Sequence, residues 1–403
     1  MRRCLPPRGR ASSLLATRRA RDTMTALQVR QTHMNTSVAS ATTPAPHAAR
    51  SRIDDHCRHR STVTALAIFV PIALLYLATL TATVVAPNWL LRCAAAVANA
   101  VVLSVLFVLG HDACHGAFTC HRRLNALLGR LAFLPSWHPY AGWQHAHNRV
   151  HHVWTNLRPR DYAWAPLSQD EYRRLSPAGR WRIRFYRSAF GFGCYYFWEV
   201  YVKRTIFPSR LFWGNGRRRV LYADLALVAG FILLQGAYLL YLARLSGAND
   251  SPLAVLAVGQ WLPFMLWNWL IGFLTFLHHT HPRVPWFNDR RQWSFFRGQI
   301  QGSVHVIFPW GINWMIQRIM EHTAHHADPQ VPLYHLAAAQ RSLEQAFKSD
   351  IVVHAFSFKS LRATTAACQL YDFEHHHWLS FAGQRTSGPT LLIPRGDRAE
   401  LKD

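Results

Sequence analysis

Four long apolar blocks constrain this chain more than any other feature of its 403 residues. Residues 63–85 carry no charge, and residues 91–110 carry only Arg92. Residues 221–242 hold Asp224 near their start and Gln235 inside, while residues 253–277 have Gln260 and Asn268 as their strongly polar members. A helix rises about 1.5 Å per residue, so about 20 residues cross a hydrocarbon layer of about 30 Å. Core helices of soluble proteins rarely stay apolar for so long, and this chain does so four times. The blocks therefore read as membrane spans.

Their spacing sets a topology. A short connector, 86–90, joins the first pair, and a Gly-Ala-Asn-Asp-Ser-Pro turn within 243–252 joins the second, giving two hairpins. The connectors are poor in basic residues, whereas 116–220 contain 18 Lys and Arg. The positive-inside rule then puts both termini and both long polar segments in the cytoplasm. Asp224 is tolerable only near a membrane face or turned into the bundle. Residues 1–60 carry 12 Arg against three acids and lack a signal-peptide core, so we expect a disordered tail. That tail resembles a transit peptide or an over-extended start, with Met24 or Met34 as the first residue. The expected domains are this tail, a membrane domain at 61–380 with polar parts at 111–220 and 278–380, and a C-terminal tail at 381–403. Seven scattered cysteines without a C-x-x-C pair argue against a disulfide framework. The net charge of +25 is explained by basic loops beside spans, and no nucleic-acid-binding module accompanies it.

Histidine is over-represented, at 24 residues, and it is clustered. His111 and His115 follow the second block. His145, His147, His151 and His152 come about 30 residues later. His278, His279 and His281 follow the fourth block, and His322, His325 and His326 follow about 40 residues after that. By the topology above, all four groups share one membrane face and one depth. Positions i, i+3 and i+4 share a helix face. His111/His115, His147/His151 and His322/His325/His326 have that spacing, with His152 displaced around its helix. Neutral imidazole suits iron, zinc, copper and nickel. The set is too large for one tetrahedral ion, so two metal ions sharing it is the economical reading. The run His375–His377 is expected to be exposed, and His121, His138, His305, His335 and His354 to be structural.

These residues resemble the membrane fatty acid desaturase family, whose three histidine boxes read here as His111-x3-His115, His147-x3-His151-His152 and His322-x2-His325-His326. The flanking G-H-D-A-C-H-G-A-F, the stretch after box two with Asp161 and Trp164, and H-H-A-D-P-Q-V-P-L-Y-H-L also fit, as does the H-H-T-H-P-x-x-P-W-F run. The resemblance covers roughly residues 63–379. It implies an all-α integral membrane protein: four transmembrane helices as a stem, with a helical cytoplasmic cap holding a histidine-rich di-metal site. It further implies two iron ions, dioxygen as co-substrate and a long acyl chain as substrate. The implied ligands are His111, His115, His147, His151, His152, His279, His281, His322, His325 and His326, with His278 third in its group and His145 an alternative to His147. Asp112, Asp161, Glu321 and Asp328 are candidates to hold the outer ring nitrogens.

The chemistry accounts for the parts. An unactivated methylene has no acidic proton and no leaving group, so acid–base or nucleophilic catalysis cannot attack it. A metal centre that activates dioxygen can, provided the protein fixes one carbon beside it. We expect an apolar tunnel, with Trp137, Trp143, Trp154 and Trp164 as liners or, preferentially, interfacial anchors. Residues 173–187 and 190–204 interleave basic and aromatic side chains and read as an interfacial segment on anionic lipid, with headgroup or acyl-carrier recognition by these arginines as the second reading. No haem, flavin, nicotinamide or iron–sulfur motif is present, so a separate ferredoxin-like or haem-protein donor is expected. The expected function is an oxygen-dependent desaturase of an acyl lipid or acyl thioester. A hydroxylase or ketolase acting on a carotenoid or alkane shares these parts. A metal transporter would place its ligands within the spans.

Overall fold

A computed structural model describes residues 46–391 except 159, 215–217 and 248–249. The chain is mainly helical, with two small two-stranded sheets that an all-α expectation did not include. Among the described residues, four helices are long and apolar enough to cross a membrane: Thr62–Val85, Trp89–Cys114, Arg218–Leu245 and Pro252–His279. Their starts are set by local chemistry. Ser61, Asn88 and Ser251 each accept a hydrogen bond from a backbone N–H three residues on, satisfying a donor that the first turn cannot. Pro252 then occupies the first helical position, where its missing N–H costs nothing.

The four helices are not equivalent. In the first and third, only 22% of the most apolar stretch is buried by protein, against 56% in the second and 44% in the fourth. The second and fourth therefore form the inner pair. Polar residues of the long helices turn inward. Asp224 pairs with Arg130 at 2.8 Å and accepts from the Ala141 N–H at 2.7 Å. Gln235 donates to the Tyr76 hydroxyl and accepts from Gln260, tying three long helices together. Arg92 pairs with Asp250.

Both inner helices run past their apolar stretches. The second extends to Cys114 and carries His111, with His115 as its C-cap; the fourth ends on His278 and His279. Imidazoles are thus delivered from rigid helix ends. The segment between the second and third helices begins with helix Arg122–Phe133, which packs along the second. A continuous helical run over 140–154 follows, with a wide π-type turn at His145–His151. After the fourth helix, β1 (Val304–Ile307) pairs in parallel with β2 (Val352–Ala355), Val304 opposite Val352. Between them lies the short helix His322–Ala327. β3 (Leu370–Asp372) and β4 (His377–Leu379) form an antiparallel pair.

The ends of the described chain differ from expectation. Residues 1–45 lie outside the described residues, but 46–60 are folded rather than tail-like. Ala49, Ile53 and Cys57 are buried, and Arg58 pairs with Asp328 at 2.7 Å. Residues 381–391 continue the fold beyond 380, with Thr390 N–H bonded to the His376 carbonyl and Leu391 buried.

Candidate metal centre

Nine of the ten histidines proposed as ligands converge in two adjoining groups. His111, His115, His147, His152 and His325 form one; His151, His279, His322 and His326 form the other. In each group one ring nitrogen per residue lies within 4.8 Å of all the others. The rings of His152 and His326 stack at 4.3 Å between centroids, so the two groups share a wall.

The boxes do not map one to a group. His111 and His115 are one helical turn apart and both enter the first. Box two straddles the pair, and the wide turn at His145–His151 explains how. In such a turn the hydrogen bond runs i→i+5, which brings i and i+5 together. His147 Nε2 consequently lies 3.0 Å from His152 Nε2, while His151 turns to the second group. Simple α-helical spacing had instead placed His147 with His151. Box three divides as well: His322 and His326, at i and i+4, face the second group, and His325 faces the first.

The nitrogen geometry fits cations. His111 Nε2 and His147 Nε2 are 2.7 Å apart, and His152 and His325 Nε2, like His279 and His322 Nε2, are 3.0 Å apart. Two nitrogens bound at about 2.1 Å and at right angles to one ion lie about 3.0 Å apart. His151 Nδ1 lies 3.0 Å from Asp161 Oδ1, His279 Nδ1 3.1 Å from the Gly302 carbonyl, and His326 Nδ1 2.7 Å from Gln299 Oε1. These acceptors fix the proton on Nδ1 and turn the Nε2 lone pair inward. His115 Nε2 and His326 Nε2 are buried without a hydrogen-bond partner. Such orphaned acceptors are costly unless a cation satisfies them. Burial, reinforced by neighbouring rings, holds His115, His147, His152, His322, His325 and His326 well below the usual imidazole pKa, so they are neutral and able to bind metal.

His281 stands apart from both groups. Its ring lies 5.1 Å from that of His354, and its Nδ1 accepts the Arg283 N–H. His278 is nearer, stacked on His322 at 3.6 Å with its Nε2 beside Met320 Sδ, and His145 packs on Trp213. Of the four acids, only Asp161 meets a box histidine. Asp112 accepts from Leu333 N–H, Glu321 holds Arg318, and Asp328 holds Arg58. Sequence reasoning missed Gln299, which accepts from Thr155 and donates to the His152 carbonyl besides meeting His326. The run at His375–His377 is not uniformly exposed: His376 is fully buried and its Nε2 meets Gln292.

A narrow apolar cavity of about 60 Å³ leads to the histidines. His111, His147, His151, His279 and His322 close one side of it. Phe107, Val108, Val200 and Ile271 contribute its greasy walls. Trp143 and Trp164 also line it and are buried, so they are not interfacial anchors. Trp137 stacks on Phe264, and Trp154 lies beside Trp293.

A family model described as fatty acid desaturase matches residues 87–357. The sn-1 oleoyl-lipid 12-desaturase of a Picosynechococcus species is 31% identical over 287 residues, 70% of this chain and 76% of that protein. The chloroplastic omega-6 fatty acid desaturase of Glycine max is 29% identical, over 71% of this chain and 64% of its own length. The endoplasmic-reticulum omega-3 fatty acid desaturase of Vigna radiata is 30% identical, with 73% and 75% covered. With two imidazole groups facing an apolar cavity and a family match over most of its length, the chain belongs to the fatty acid desaturase family.

Proposed function

We propose that this chain is an oxygen-dependent acyl-lipid desaturase that introduces a further double bond into an oleoyl-type chain, using two irons held by the two histidine groups. The observation that carries this reading is the junction of the narrow apolar cavity with both groups. Two irons, when bound, activate dioxygen and supply the oxidising power. Over the whole reaction two adjacent methylenes lose two hydrogens, and dioxygen, with two electrons and two protons, becomes two waters. The relatives' names supply the oleoyl-lipid class.

The chain's own residues bind, orient and exclude water. His111, His115, His147, His152 and His325 are the proposed ligands of one ion, and His151, His279, His322 and His326 of the other. Asp161, Gln299 and the Gly302 carbonyl hold outer ring protons and fix ring planes. Phe107, Trp143 and Val200 confine an extended acyl chain and keep the site dry. The four long helices span the bilayer as two hairpins, with the histidine groups on the cytoplasmic side. The electrons come from a separate ferredoxin-like or haem-protein donor.

Fatty-acid profiling of a host expressing the chain tests this. A dienoic acid should appear as oleate falls, and His325→Ala should abolish it while the protein still inserts into membranes. Hydroxylated products, or unchanged lipids with an iron-loaded protein, would overturn the reading.

A further inference from the structure

A second recess adjoins the acyl cavity, and its character is opposite. It has a volume of about 280 Å³, and five cations (Arg158, Arg182, Arg187, Lys203 and Arg204) line it against two acids. Tyr162 lines both spaces, so the recess adjoins the cavity beside the histidines at that residue.

Three of the cations are already committed. Arg158 is paired with Glu171, Lys203 with Glu199 at 2.7 Å, and buried Arg187 donates to the Trp164 carbonyl. Of the acids, Glu199 is spent on Lys203, and Asp161 turns its oxygens to His151 and the Asn156 N–H. Arg182 and Arg204 remain. Arg182 is exposed on helix Pro177–Tyr186, and no carboxylate among the described residues pairs with it. The Arg204 guanidinium lies over the rings of Tyr162 and Phe212, and its Nε is buried with no hydrogen-bond partner. A buried, unspent guanidinium donor calls for an anionic acceptor, and phosphate oxygens match its geometry.

We propose that this recess binds the headgroup phosphate of the glycerolipid substrate, with Arg182 and Arg204 as the contacting cations, while the acyl chain passes Tyr162 into the cavity. This rests on the acyl-lipid reading and deepens it. It makes the enzyme selective for phosphate-bearing lipids over uncharged glycolipids with the same acyl chains.

The test uses the full-length, iron-loaded chain in nanodiscs of a saturated lipid doped with either dioleoyl phosphatidylglycerol or dioleoyl galactosylglycerol. Turnover and retained lipid, the latter by native mass spectrometry, are both read. The phospholipid should half-saturate at a several-fold lower mole fraction and be retained preferentially. Arg182→Gln and Arg204→Gln should each raise that mole fraction several-fold while kcat for the phospholipid holds, with a much smaller shift for the glycolipid. Arg204→Lys should recover part of the loss. Equal use and equal retention of the two lipids would overturn the proposal, as would variants that shift both lipids alike. Displacement of the phospholipid by millimolar inorganic phosphate would make the recess a free-anion site instead. If no lipid is desaturated, the enzymatic reading fails, but lipid retention still decides whether the recess holds a phosphate headgroup.

Discussion

Asp161 and Gln299 do the same job by different routes. Each offers an oxygen to the outer nitrogen of a buried imidazole, fixing its tautomer and ring plane. Asp161→Asn and Gln299→Leu should therefore lower iron affinity and turnover by about 10–100-fold without touching a proposed ligand. Iron titration of the purified variants, read beside their activity, checks this; full iron affinity in Gln299→Leu would remove it from the site. His279→Ala should abolish activity, whereas His281→Ala should retain most of it, because His281 packs on His354 outside both groups. Equal loss in both would restore His281 to the ligand set. The convergence of nine histidines was legible because histidines at fixed spacing beside apolar blocks leave a pattern. Gln299, Thr155 and Gly302 left none. They lie in polar stretches without periodicity and meet the rings only through tertiary packing.

At the scale of elements, the helix ends matter most. The two inner helices outrun their apolar stretches by a few residues and so carry imidazoles on their final turns. Apolar length alone located these helices, with boundaries within about four residues. It could not reveal the wide turn at His145–His151, whose i→i+5 bonding depends on contacts that local sequence does not encode. The cavity walls were only half legible: Trp143 and Trp164 read as liners or, preferentially, interfacial anchors, and packing turns them inward. Val200 lines the cavity and is 5% exposed. Val200→Trp should fill the acyl path and abolish turnover of an 18-carbon chain, at a cost of about 1–3 kcal/mol of stability from overpacking. Iron content should survive. Wild-type turnover in that variant would place the acyl chain elsewhere.

Across the whole molecule, stability should depend on pH through the histidines. Several rings outside the long helices have folded-state pKa values depressed by burial, His281 to about 4 and His115, His147, His152, His322, His325 and His326 well below 6.5. As pH falls below about 6.5 the unfolded chain binds protons that the folded chain refuses, so folding stability declines toward acid. The melting temperature of the iron-free protein should drop from pH 7 to pH 5, and bound iron should be released over the same range. A flat profile would mean the rings are not buried as described. Residues 46–60 also belong to the fold. Deletion through Arg60 removes buried Ile53 and Cys57 and the Arg58–Asp328 pair, and Ile53 alone is worth about 1.5–3 kcal/mol. That truncation should lower the melting temperature, whereas removal of residues 1–34 should spare it and the activity.

The account stands most directly on the metal content of the purified full-length chain. Two irons per chain are predicted, one for each histidine group, with His115→Ala and His322→Ala each selectively weakening one of them. A single exchangeable zinc, or one ion lost equally in both variants, would contradict it.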